Sequence, residues 1–356
     1  MIIFGKSNHI NEEAMIHVRL PEAVADASRL LPFYLAMEEH LARNYDGEYF
    51  FMWQVEPTVI FGRNQQIEAE VNLDYCRREG IQTYRRKSGG GCVFADMNNI
   101  MFSHVTTCES VATTFRGFTS RVASMLRCLG LDAGATGRND ILIGDRKVSG
   151  YAFYHIPIPG GTGALSRAIV HGTMLYDADL ERMTAALTPS QTKLNAKGVK
   201  SVRSRVTTIR ENHSIGLQDF KSFAVAEICD GGMVLTDADI EEINRIAAPY
   251  FEERWIYGRR YGSGRNALPN PVRIEGAGEF VVDLQTSPGS PHVISNVDLK
   301  GDFFITGDLD ATLLRRLQGV PLTREALLSA MEGVNVPGII MGLSAGQLAD
   351  LLLAAK

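Results

Sequence analysis

The sequence lacks a long apolar run, an excess of basic residues and paired cysteines, and each absence excludes a class of protein. No run among its 356 residues approaches the roughly 20 apolar residues of a membrane-spanning helix. The apolar start at residues 1–4 is shorter than the core of a signal peptide, and acidic residues follow it. The formal net charge of −5 argues against a general nucleic-acid binder. We therefore expect a cytoplasmic protein that acts on neither membranes nor nucleic acids.

The cysteines form no recognisable pair. There are five of them, and none stands in a Cys-x-x-Cys motif. Neither a zinc site nor a disulfide framework is indicated, and a reducing compartment fits this pattern. The remaining composition, 45% hydrophobic and 22% charged, is ordinary for a globular chain and argues against long disordered tracts.

Local patterns predict helices and strands without a regular strand–helix–strand repeat. Residues 31–44 have apolar side chains at helical spacing, and Glu38, Glu39 and Arg43 are expected to face solvent. Residues 49–54 and 58–61 are rich in aromatic and β-branched side chains and predict a strand pair. Further helices are predicted at 71–79 and 114–129, and further strands at 81–84, 92–94, 100–102 and on both sides of a turn at 144–145. This order favours an α+β fold with a mixed sheet over a doubly wound one.

The last third of the chain is predicted to form a separate, smaller domain. A basic, β-rich segment at 201–210 and a helix at 237–248 precede residues 258–271, whose glycines and prolines interrupt regular structure. Strand-like runs follow at 279–284, 292–299 and 303–305, with two leucine-rich helical runs after them. These elements suffice for a small α/β domain. We predict a first domain over 1–250 and a second over 251–356.

A glycine run in residues 85–94 (RRKSGGGCVF) directly follows basic residues. Gly89, Gly90 and Gly91 carry no side chains, so their backbone amides can approach a ligand closely. Oriented amides beside Arg86 provide what a phosphate or a carboxylate needs. The run is not a Walker loop, because no Gly-Lys-Ser/Thr follows it, and it is not a Gly-x-Gly-x-x-Gly loop. Taken alone, it favours a flexible turn whose basic residues face water.

Lys147, just after the turn at 144–145, is a second candidate for chemistry. Joining a carboxylate to the α-phosphate of ATP brings two anions together, and an ammonium group between them would stabilise the transition state. Asp140 is a candidate to hold a magnesium–nucleotide or its ribose, and Asn139 could bond polar groups nearby. The alternative is a surface hairpin charge, as most lysines are.

His171 and Trp53, taken singly, are more often structural than functional. Several separate segments nevertheless match one family in order and spacing. They are LAMEE at 35–39, WQ at 53–54, VIFGR at 59–63, RRKSGGG at 85–91, ND at 139–140, GDRKVSG at 144–150, HGT at 171–173, AKG at 196–198 and SVRSRV at 201–206. Over roughly residues 30–210 the chain resembles the lipoate–protein ligase A family of the biotin/lipoate ligase superfamily. GDFF at 301–304 resembles the accessory domain of full-length bacterial ligases.

The resemblance implies a mixed-sheet catalytic domain of the biotin/lipoyl ligase type, followed by the accessory domain. It implies an enzyme that uses ATP and Mg²⁺ to convert lipoate to lipoyl-AMP and then acylates a carrier lysine. Lys147 would be catalytic, and Asp140 is the candidate metal ligand. The implied adenylate contacts are Arg86, Gly91, Cys92, Val93, Phe94, Asn139, Asp140 and Lys147. The implied lipoate contacts are Trp53, Arg86, Ser88, Gly89, Gly90, Lys147 and His171.

The implied carriers are the lipoyl domains of 2-oxoacid dehydrogenase complexes and the glycine cleavage H protein. Such domains present a lysine on a tight turn within an acidic surface, which basic residues could steer. The candidates for steering are Arg203 and Arg205, or Arg259, Arg260 and Arg265, with simple exposed charge as the alternative. Lys197, Arg203 and Arg205 also fall where the family has a mobile segment near the adenylate.

Other functions remain open. A transferase of the same fold could pass octanoyl or lipoyl groups through a thioester on Cys92, although a small residue filling an alanine-sized site is the favoured interpretation there. A homologue that binds lipoate or a nucleotide without turnover is the second alternative, because Ala95 stands where the family usually has histidine. Asn98, where the family usually has glycine, is a further departure from the pattern. A biotin ligase is disfavoured, because the glycine run lacks the Gly-Arg-Gly-Arg pattern of that family.

Overall fold

The computed structural model describes residues 14–25, 29–108, 111–136, 139–158, 166–187, 205–257, 271–289 and 291–355. The strands are β1 (Met15–Arg19), β2 (Glu48–Trp53), β3 (Thr58–Phe61), β4 (Gln82–Arg85), β5 (Val93–Ala95), β6 (Asn99–Cys108), β7 (Ala133–Ala135), β8 (Asp140–Ile143), β9 (Arg146–Pro157), β10 (Ser166–Leu175), β11 (Gly231–Val234), β12 (Val272–Ile274), β13 (Gly278–Ser287) and β14 (Val293–Phe303). The helices are α1 (Glu22–Ala25), α2 (Leu31–Asn44), α3 (Ile67–Glu70), α4 (Leu73–Arg78), α5 (Val111–Cys128), α6 (Leu180–Ala186), α7 (Ile209–Asn212), α8 (Leu217–Ile228), α9 (Asp237–Ala247), α10 (Glu253–Ile256), α11 (Arg315–Leu317), α12 (Arg324–Ala330) and α13 (Ala345–Ala354). Within the described ranges, no helix combines the length and the apolar character needed to cross a membrane.

The largest sheet is mixed in strand direction. Its order is β11-β1-β2-β6-β10-β9-β8-β7. Strand β1 is parallel to both of its neighbours, while the pairs from β2–β6 to β8–β7 are antiparallel. A second sheet has the order β4-β3-β5, and a third has the order β12-β13-β14. The expected α+β fold with a mixed sheet is confirmed.

Helix α2 has the bounds that its apolar spacing predicts, but two of its acidic side chains are buried. It packs against β6 and β10 and also against α9, so little of its circumference faces solvent. Glu38 and Glu39 are 0% and 2% exposed. The expectation that they face solvent is therefore wrong, whereas half of the Arg43 side chain is exposed as expected. Burial of the two carboxylates is tolerated because each has a close polar partner, His171 for Glu38 and Lys87 for Glu39.

The two aromatic runs near residue 55 form strands, but they do not pair with each other. Strand β2 lies between β1 and β6 in the large sheet, whereas β3 lies between β4 and β5 in the second sheet. Both runs are mostly buried, so the backbone N–H and C=O groups on both edges of each strand need hydrogen-bond partners from neighbouring strands. Those neighbours come from distant parts of the chain, which local patterning does not specify.

In the basic segment at 201–210, the described residues 205–210 contain one β-bridge and the start of a helix. Residues 201–204 lie outside the described part, and a single bridge pairs Val206 with Lys147. Helix α7 then begins after Thr208, whose Oγ1 accepts a hydrogen bond from the backbone N–H of Glu211. This N-cap contact starts a helix where β-branched residues alone favour a strand.

Buried apolar residues form separate cores in the early and late parts of the chain. One cluster consists of residues between 277 and 352. Trp255 and Ile256 pack with the earlier clusters, and Phe304 also belongs to the early core. The segment 258–270, where the sequence suggests a boundary, lies outside the described residues. The division into 1–250 and 251–356 therefore stays a prediction.

Candidate active site

A cavity of about 240 Å³ lies where the large sheet, the β4-β3-β5 sheet and the C-terminal part of the chain meet. Most residues singled out in the sequence line it, although they are far apart in the chain. These residues are Trp53, Arg86, Gly90, Gly91, Cys92, Val93, Asn139, Asp140, Lys147 and His171. The cavity thus gathers the basic, glycine-rich and aromatic segments into one site.

The Arg86 side chain donates hydrogen bonds that hold the glycine loop in place. Its Nη2 donates to the carbonyls of Gly89 and Gly91, both at 2.7 Å, and its Nε donates to Ser88 Oγ at 2.8 Å. Its Nη1 donates to the carbonyl of Ile60 at 3.1 Å. Burial lowers the pKa of the guanidinium to about 10, so it remains a cation at neutral pH. Arg86 therefore lines the cavity while most of its donors hold the loop in shape.

Close backbone contacts explain why the loop contains consecutive glycines. A Cβ on Gly62 would lie 2.2 Å from the carbonyl oxygen of Gly90, and a Cβ on Gly89 would lie 2.3 Å from that of Phe303. Gly90 also has a φ of 84°, which side-chain-bearing residues rarely adopt. The loop is pressed between the end of β3 and the C-terminal part, so a side chain here would displace one of them.

Lys147 is held by the β8–β9 hairpin and by Arg205. Its Nζ lies 2.6 Å from Asp140 Oδ1, and Arg205 Nη2 lies 2.9 Å from Asp140 Oδ2. The backbone N–H of Lys147 donates to the carbonyl of Arg205, and its own carbonyl accepts from Thr207 N–H, both at 2.8 Å. A Cβ on Gly150 would lie 2.3 Å from Lys147 Nζ, so glycine leaves the ammonium group its space. One carboxylate thus orients two cations at the cavity wall.

Part of the lining is apolar, and Trp53 is its largest member. Its apolar residues on this side include Leu35, Trp53, Ile60, Val93 and Met101. The Trp53 ring stacks on Tyr34 with centroids 5.0 Å apart and an interplanar angle of 9°. Its indole N–H donates to Ser103 Oγ at 2.9 Å. The ring is therefore fixed from two directions, and the surface suits a hydrocarbon chain.

A continuous series of buried hydrogen bonds, here termed the buried chain, joins two residues of the cavity wall. Its members, in order, are Trp53, Ser103, Glu38, His171, Ser88 and Arg86. Ser103 Oγ donates to Glu38 Oε1 at 2.5 Å, and Glu38 Oε2 lies 2.8 Å from His171 Nδ1. His171 Nε2 lies 2.6 Å from Ser88 Oγ. Glu38 was missed in the sequence, because an acidic residue on an amphipathic helix predicts exposure.

The C-terminal part contributes directly to the cavity. Arg273, Gly278, Asp302 and Phe304 all line it. The backbone N–H of Gly90 donates to the carbonyl of Phe303 at 3.0 Å. The ring of Phe304 stacks on Phe153 of the large sheet, with centroids 5.7 Å apart. None of these residues is predicted to line the site from the sequence, although the GDFF segment at 301–304 is a signal for a contribution from this part of the chain.

Some predicted residues lie behind the wall or outside the described chain. Ser88 and Phe94 are 0% and 1% exposed and do not line the cavity, and neither does Gly89. Asn139 lines it, but its side-chain amide donates to the carbonyl of Tyr151 at 3.1 Å, which supports the hairpin. Ala95 is a buried member of the apolar cluster around Trp53. Lys197, Arg203, Arg259, Arg260 and Arg265 lie outside the described residues.

Carboxylates line the cavity without forming a ready-made metal cluster. They belong to Glu70, Asp140 and Asp302. Within the described part of the chain, no group of three or more histidine, cysteine, aspartate or glutamate residues could hold a metal ion. A cation that arrives with phosphate oxygens of its own would need only one or two of these carboxylates.

A sequence model described as the lipoyl protein ligase A/B catalytic domain matches residues 32–229. The lipoate–protein ligase LplJ of Bacillus subtilis is 31% identical over 331 residues, covering 89% of this chain and 95% of that protein. Lipoate–protein ligase 1 of Staphylococcus aureus is 33% identical over 285 residues, covering 77% of this chain and 82% of that protein.

Solved structures share the fold at lower sequence identity. Plasmodium falciparum LipL1 in complex with lipoate has a TM-score of 0.68 at 18% identity, covering 96% of this chain and 98% of that one. A lipoate–protein ligase A bound with ATP has a TM-score of 0.57 at 23% identity, covering 68% and 99%. The bipartite ligase of Thermoplasma acidophilum, studied with its E2 lipoyl domain, has a TM-score of 0.60 at 24% identity, covering 69% and 97%.

Proposed function

The chain belongs to the lipoyl protein ligase A/B catalytic-domain family, and from that premise we propose that it activates lipoate with ATP and transfers the lipoyl group to a carrier lysine. One observation carries the proposal. A single cavity joins Lys147, the glycine loop and an apolar surface around Trp53. An anionic carboxylate, a nucleotide phosphate and a hydrocarbon chain each find suitable partners there.

Activation joins two anions, and the charged wall lowers that barrier. A lipoate carboxylate oxygen attacks the α-phosphorus of ATP, the bond to the β-phosphate oxygen breaks, and lipoyl-AMP and pyrophosphate result. Lys147 serves as the point charge between carboxylate and phosphate, and Asp140 with Arg205 keeps its ammonium in place. Positioning and charge stabilisation supply the catalysis, and no covalent enzyme intermediate is needed.

The apolar surface accounts for the acyl substrate. Each methylene group transferred from water to such a surface contributes about 0.8 kcal/mol. Trp53, fixed by Tyr34 and Ser103, offers a rigid part of that surface. A lipoyl or octanoyl chain would be bound along it.

The residues present fit a magnesium ion that arrives with the nucleotide. Mg²⁺ in nucleotide sites takes most of its oxygen ligands from phosphates and water, with one or two protein carboxylates. Asp140, in the cavity wall beside Lys147, is the residue proposed to hold it. When bound, the ion would neutralise phosphate charge.

Transfer then releases AMP. The uncharged ε-amine of a carrier lysine attacks the acyl carbonyl of lipoyl-AMP, the bond to the phosphate oxygen breaks, and an amide forms. The proposed carriers are the lipoyl domains of 2-oxoacid dehydrogenase complexes and the glycine cleavage H protein. The Thermoplasma ligase studied with its E2 lipoyl domain supports this choice of partner. Among the basic residues proposed to steer the carrier, Arg205 lies in the part of the chain that the structure describes.

A thioester transferase is the competing reaction. Cys92 lines the cavity, as such a mechanism needs. Against it stand the relatives that match most of the chain, including its C-terminal part, and are named ligases. A thioester transferase would need no ATP, so nucleotide dependence separates the two reactions.

Exchange of labelled pyrophosphate into ATP tests the activation step. The exchange is expected to require lipoate or octanoate and to give no signal with biotin. Lys147→Ala should abolish it while the circular dichroism spectrum stays unchanged. Arg146→Ala is the matched control, because this neighbouring cation is partly exposed, does not line the cavity and pairs with Glu211. Two results would contradict the proposed mechanism. One is that the wild type shows no exchange that depends on lipoate or octanoate, and the other is that Lys147→Ala shows near-normal exchange. Transfer is checked by the mass increase of an apo lipoyl domain.

A further inference from the structure

We propose that Glu38 is a positioning residue, which fixes the tautomer of His171 and, through Ser88, the orientation of the Arg86 guanidinium beneath the glycine loop. The proposal rests on the proposed ligase function for its kinetic consequences but not for its structural ones. Glu38 touches neither the cavity nor any candidate substrate group. Its influence therefore has to pass through the buried chain.

The two ends of the buried chain set the direction of its hydrogen bonds. The indole N–H of Trp53 can only donate, so Ser103 Oγ accepts from it and turns its own hydroxyl hydrogen to Glu38. A carboxylate can only accept, so the partner of Glu38 on the other side must also be a donor. That partner is His171 Nδ1, at 2.8 Å and 3.0 Å from the two carboxylate oxygens. Glu38 therefore selects the imidazole tautomer that carries hydrogen on Nδ1.

The opposite end reaches the same assignment independently. The Nε–H of Arg86 can only donate, so Ser88 Oγ accepts from it. The Ser88 hydroxyl hydrogen then needs an acceptor, and the unprotonated Nε2 of His171 lies 2.6 Å away. With hydrogen on Nδ1, each hydrogen of the buried chain has a partner. The other tautomer would point Nε2–H at Ser88 and leave the serine hydroxyl hydrogen without an acceptor in the chain.

Burial makes this assignment matter. Glu38, Ser88 and Ser103 are 0% exposed, and His171 is 5% exposed. Water cannot readily replace a lost partner at such positions, so an unmatched donor is expensive. The cheapest response to a reversed histidine is movement of Ser88 away from Arg86. Because Arg86 also holds the carbonyls of Gly89 and Gly91, that movement would pass to the glycine loop.

Glu38→Gln is the sharpest test, because it keeps the size of the side chain and replaces one acceptor oxygen by a donor. If the amide oxygen continues to accept from Ser103, the amide nitrogen faces His171 Nδ1. His171 must then move its hydrogen to Nε2. Glu39→Gln is the matched control: the neighbouring buried carboxylate accepts from Lys87 and Tyr250 and is not part of the buried chain.

The tautomer can be measured without any activity. Long-range proton–nitrogen correlation spectra of ¹⁵N-histidine-labelled protein distinguish a protonated from an unprotonated ring nitrogen. The His171 signals are assigned by their loss in His171→Gln. We expect hydrogen on Nδ1 in the wild type, in Glu39→Gln and in Ser88→Ala, and on Nε2 in Glu38→Gln. Hydrogen on Nε2 in the wild type, or an unchanged tautomer in folded Glu38→Gln, would overturn the proposal.

Kinetic coupling provides the second readout. Glu38→Gln and Ser88→Ala should each lower kcat/KM of lipoate-dependent exchange by on the order of tenfold, since about 1.4 kcal/mol corresponds to a factor of ten. Because both act through one chain, the double variant should be little worse than either single variant, whereas independent losses would multiply. Multiplying losses would show that Glu38 does not act through Ser88. Failure of the wild type to catalyse exchange would remove the ligase proposal and leave the tautomer result standing.

Discussion

The Nζ of Lys147 lies 2.6 Å from Asp140 Oδ1, and the space that it occupies exists because residue 150 has no side chain. A methyl group on Gly150 would approach Nζ to 2.3 Å. The glycine that ends the Lys-Val-Ser-Gly segment therefore leaves room for the ammonium group in its observed position, and its φ is not in the left-handed region.

Gly150→Ala should disable activation without unfolding the protein. The added methyl group displaces Lys147 from Asp140, and a loss of more than tenfold in pyrophosphate exchange is expected, because a small displacement of a charge-stabilising group is costly. Gly134→Ala is the control: a Cβ there meets nothing within 4 Å. Equal exchange rates for the two variants would show that Lys147 needs no fixed position.

Asp140→Asn should raise the concentration of Mg²⁺ needed for exchange. The substitution removes the carboxylate proposed to hold the ion and also the counter-charge of Lys147 and Arg205. A shift of about tenfold in the half-maximal Mg²⁺ concentration is expected. Asp145→Asn, at the exposed turn of the same hairpin, is the control and should leave the Mg²⁺ titration unchanged. An unaltered titration in Asp140→Asn would restrict Asp140 to its role as counter-ion.

Phe304→Ala should weaken the attachment of the C-terminal part to the catalytic core. The ring is 4% exposed and stacks on Phe153. Truncation of a buried phenylalanine costs about 3–5 kcal/mol, and chemical denaturation should show a loss of this order. Leu328→Ala removes a partly exposed side chain of the same C-terminal part and should change the free energy of unfolding by less than about 1 kcal/mol. If Phe304→Ala were as stable as Leu328→Ala, the stacking would contribute nothing.

Buried His104 should make the protein less stable in mild acid. Burial, with Arg121 and Arg167 adding to it, lowers the pKa of His104 from 6.5 to about 3. Glu48 at 3.8 Å is too far to form a hydrogen bond. Below pH 6.5 His104 binds a proton in the unfolded chain but stays neutral in the folded chain. The free energy of unfolding therefore decreases as the pH falls from 6.5 towards 3. The slope approaches ~1.4 kcal/mol per pH unit.

Urea denaturation of the wild type and His104→Gln between pH 7 and pH 5 measures this contribution. His104→Gln removes the titrating ring, so its free energy of unfolding should fall less steeply with acid than that of the wild type. Parallel pH dependences in the two proteins would contradict the assignment.

Local patterning predicted elements whose stability depends on neighbours within one segment. Helix α2 and helix α9, which carries a capping box at Thr236 and Asp239, appear close to their expected bounds. Sheet partners were not predictable, because the adjacent strands β2 and β3 obtain their neighbours from distant segments. The burial of Glu38 could not be predicted for the same reason, because its partner His171 is 133 positions away in the sequence.

Site residues that belong to a recognisable sequence motif could be predicted. Residues that reach the site only because distant segments fold together could not. Lys147, Arg86 and Trp53 belong to segments that match the family, and the structure brings them together along one cavity. Arg273 and Asp302 are not predicted to line the site: the GDFF segment around Asp302 indicates an accessory domain, but nothing local indicates that this domain folds back onto the glycine loop. Ser88, which the resemblance implies as a lipoate contact, does not line the cavity, because its hydroxyl is engaged with His171 behind the wall.

Gly90 has one backbone donor, and the carbonyl of Phe303 uses it. An anion that seeks the same N–H is therefore in direct competition with the strand end of the C-terminal part. A bound anion and the carbonyl of Phe303 would compete for the one amide hydrogen of Gly90. A tighter contact between the C-terminal part and the loop therefore lowers the affinity for an anion that uses this amide. Measured nucleotide affinity should then report on how firmly two distant halves of the chain hold together.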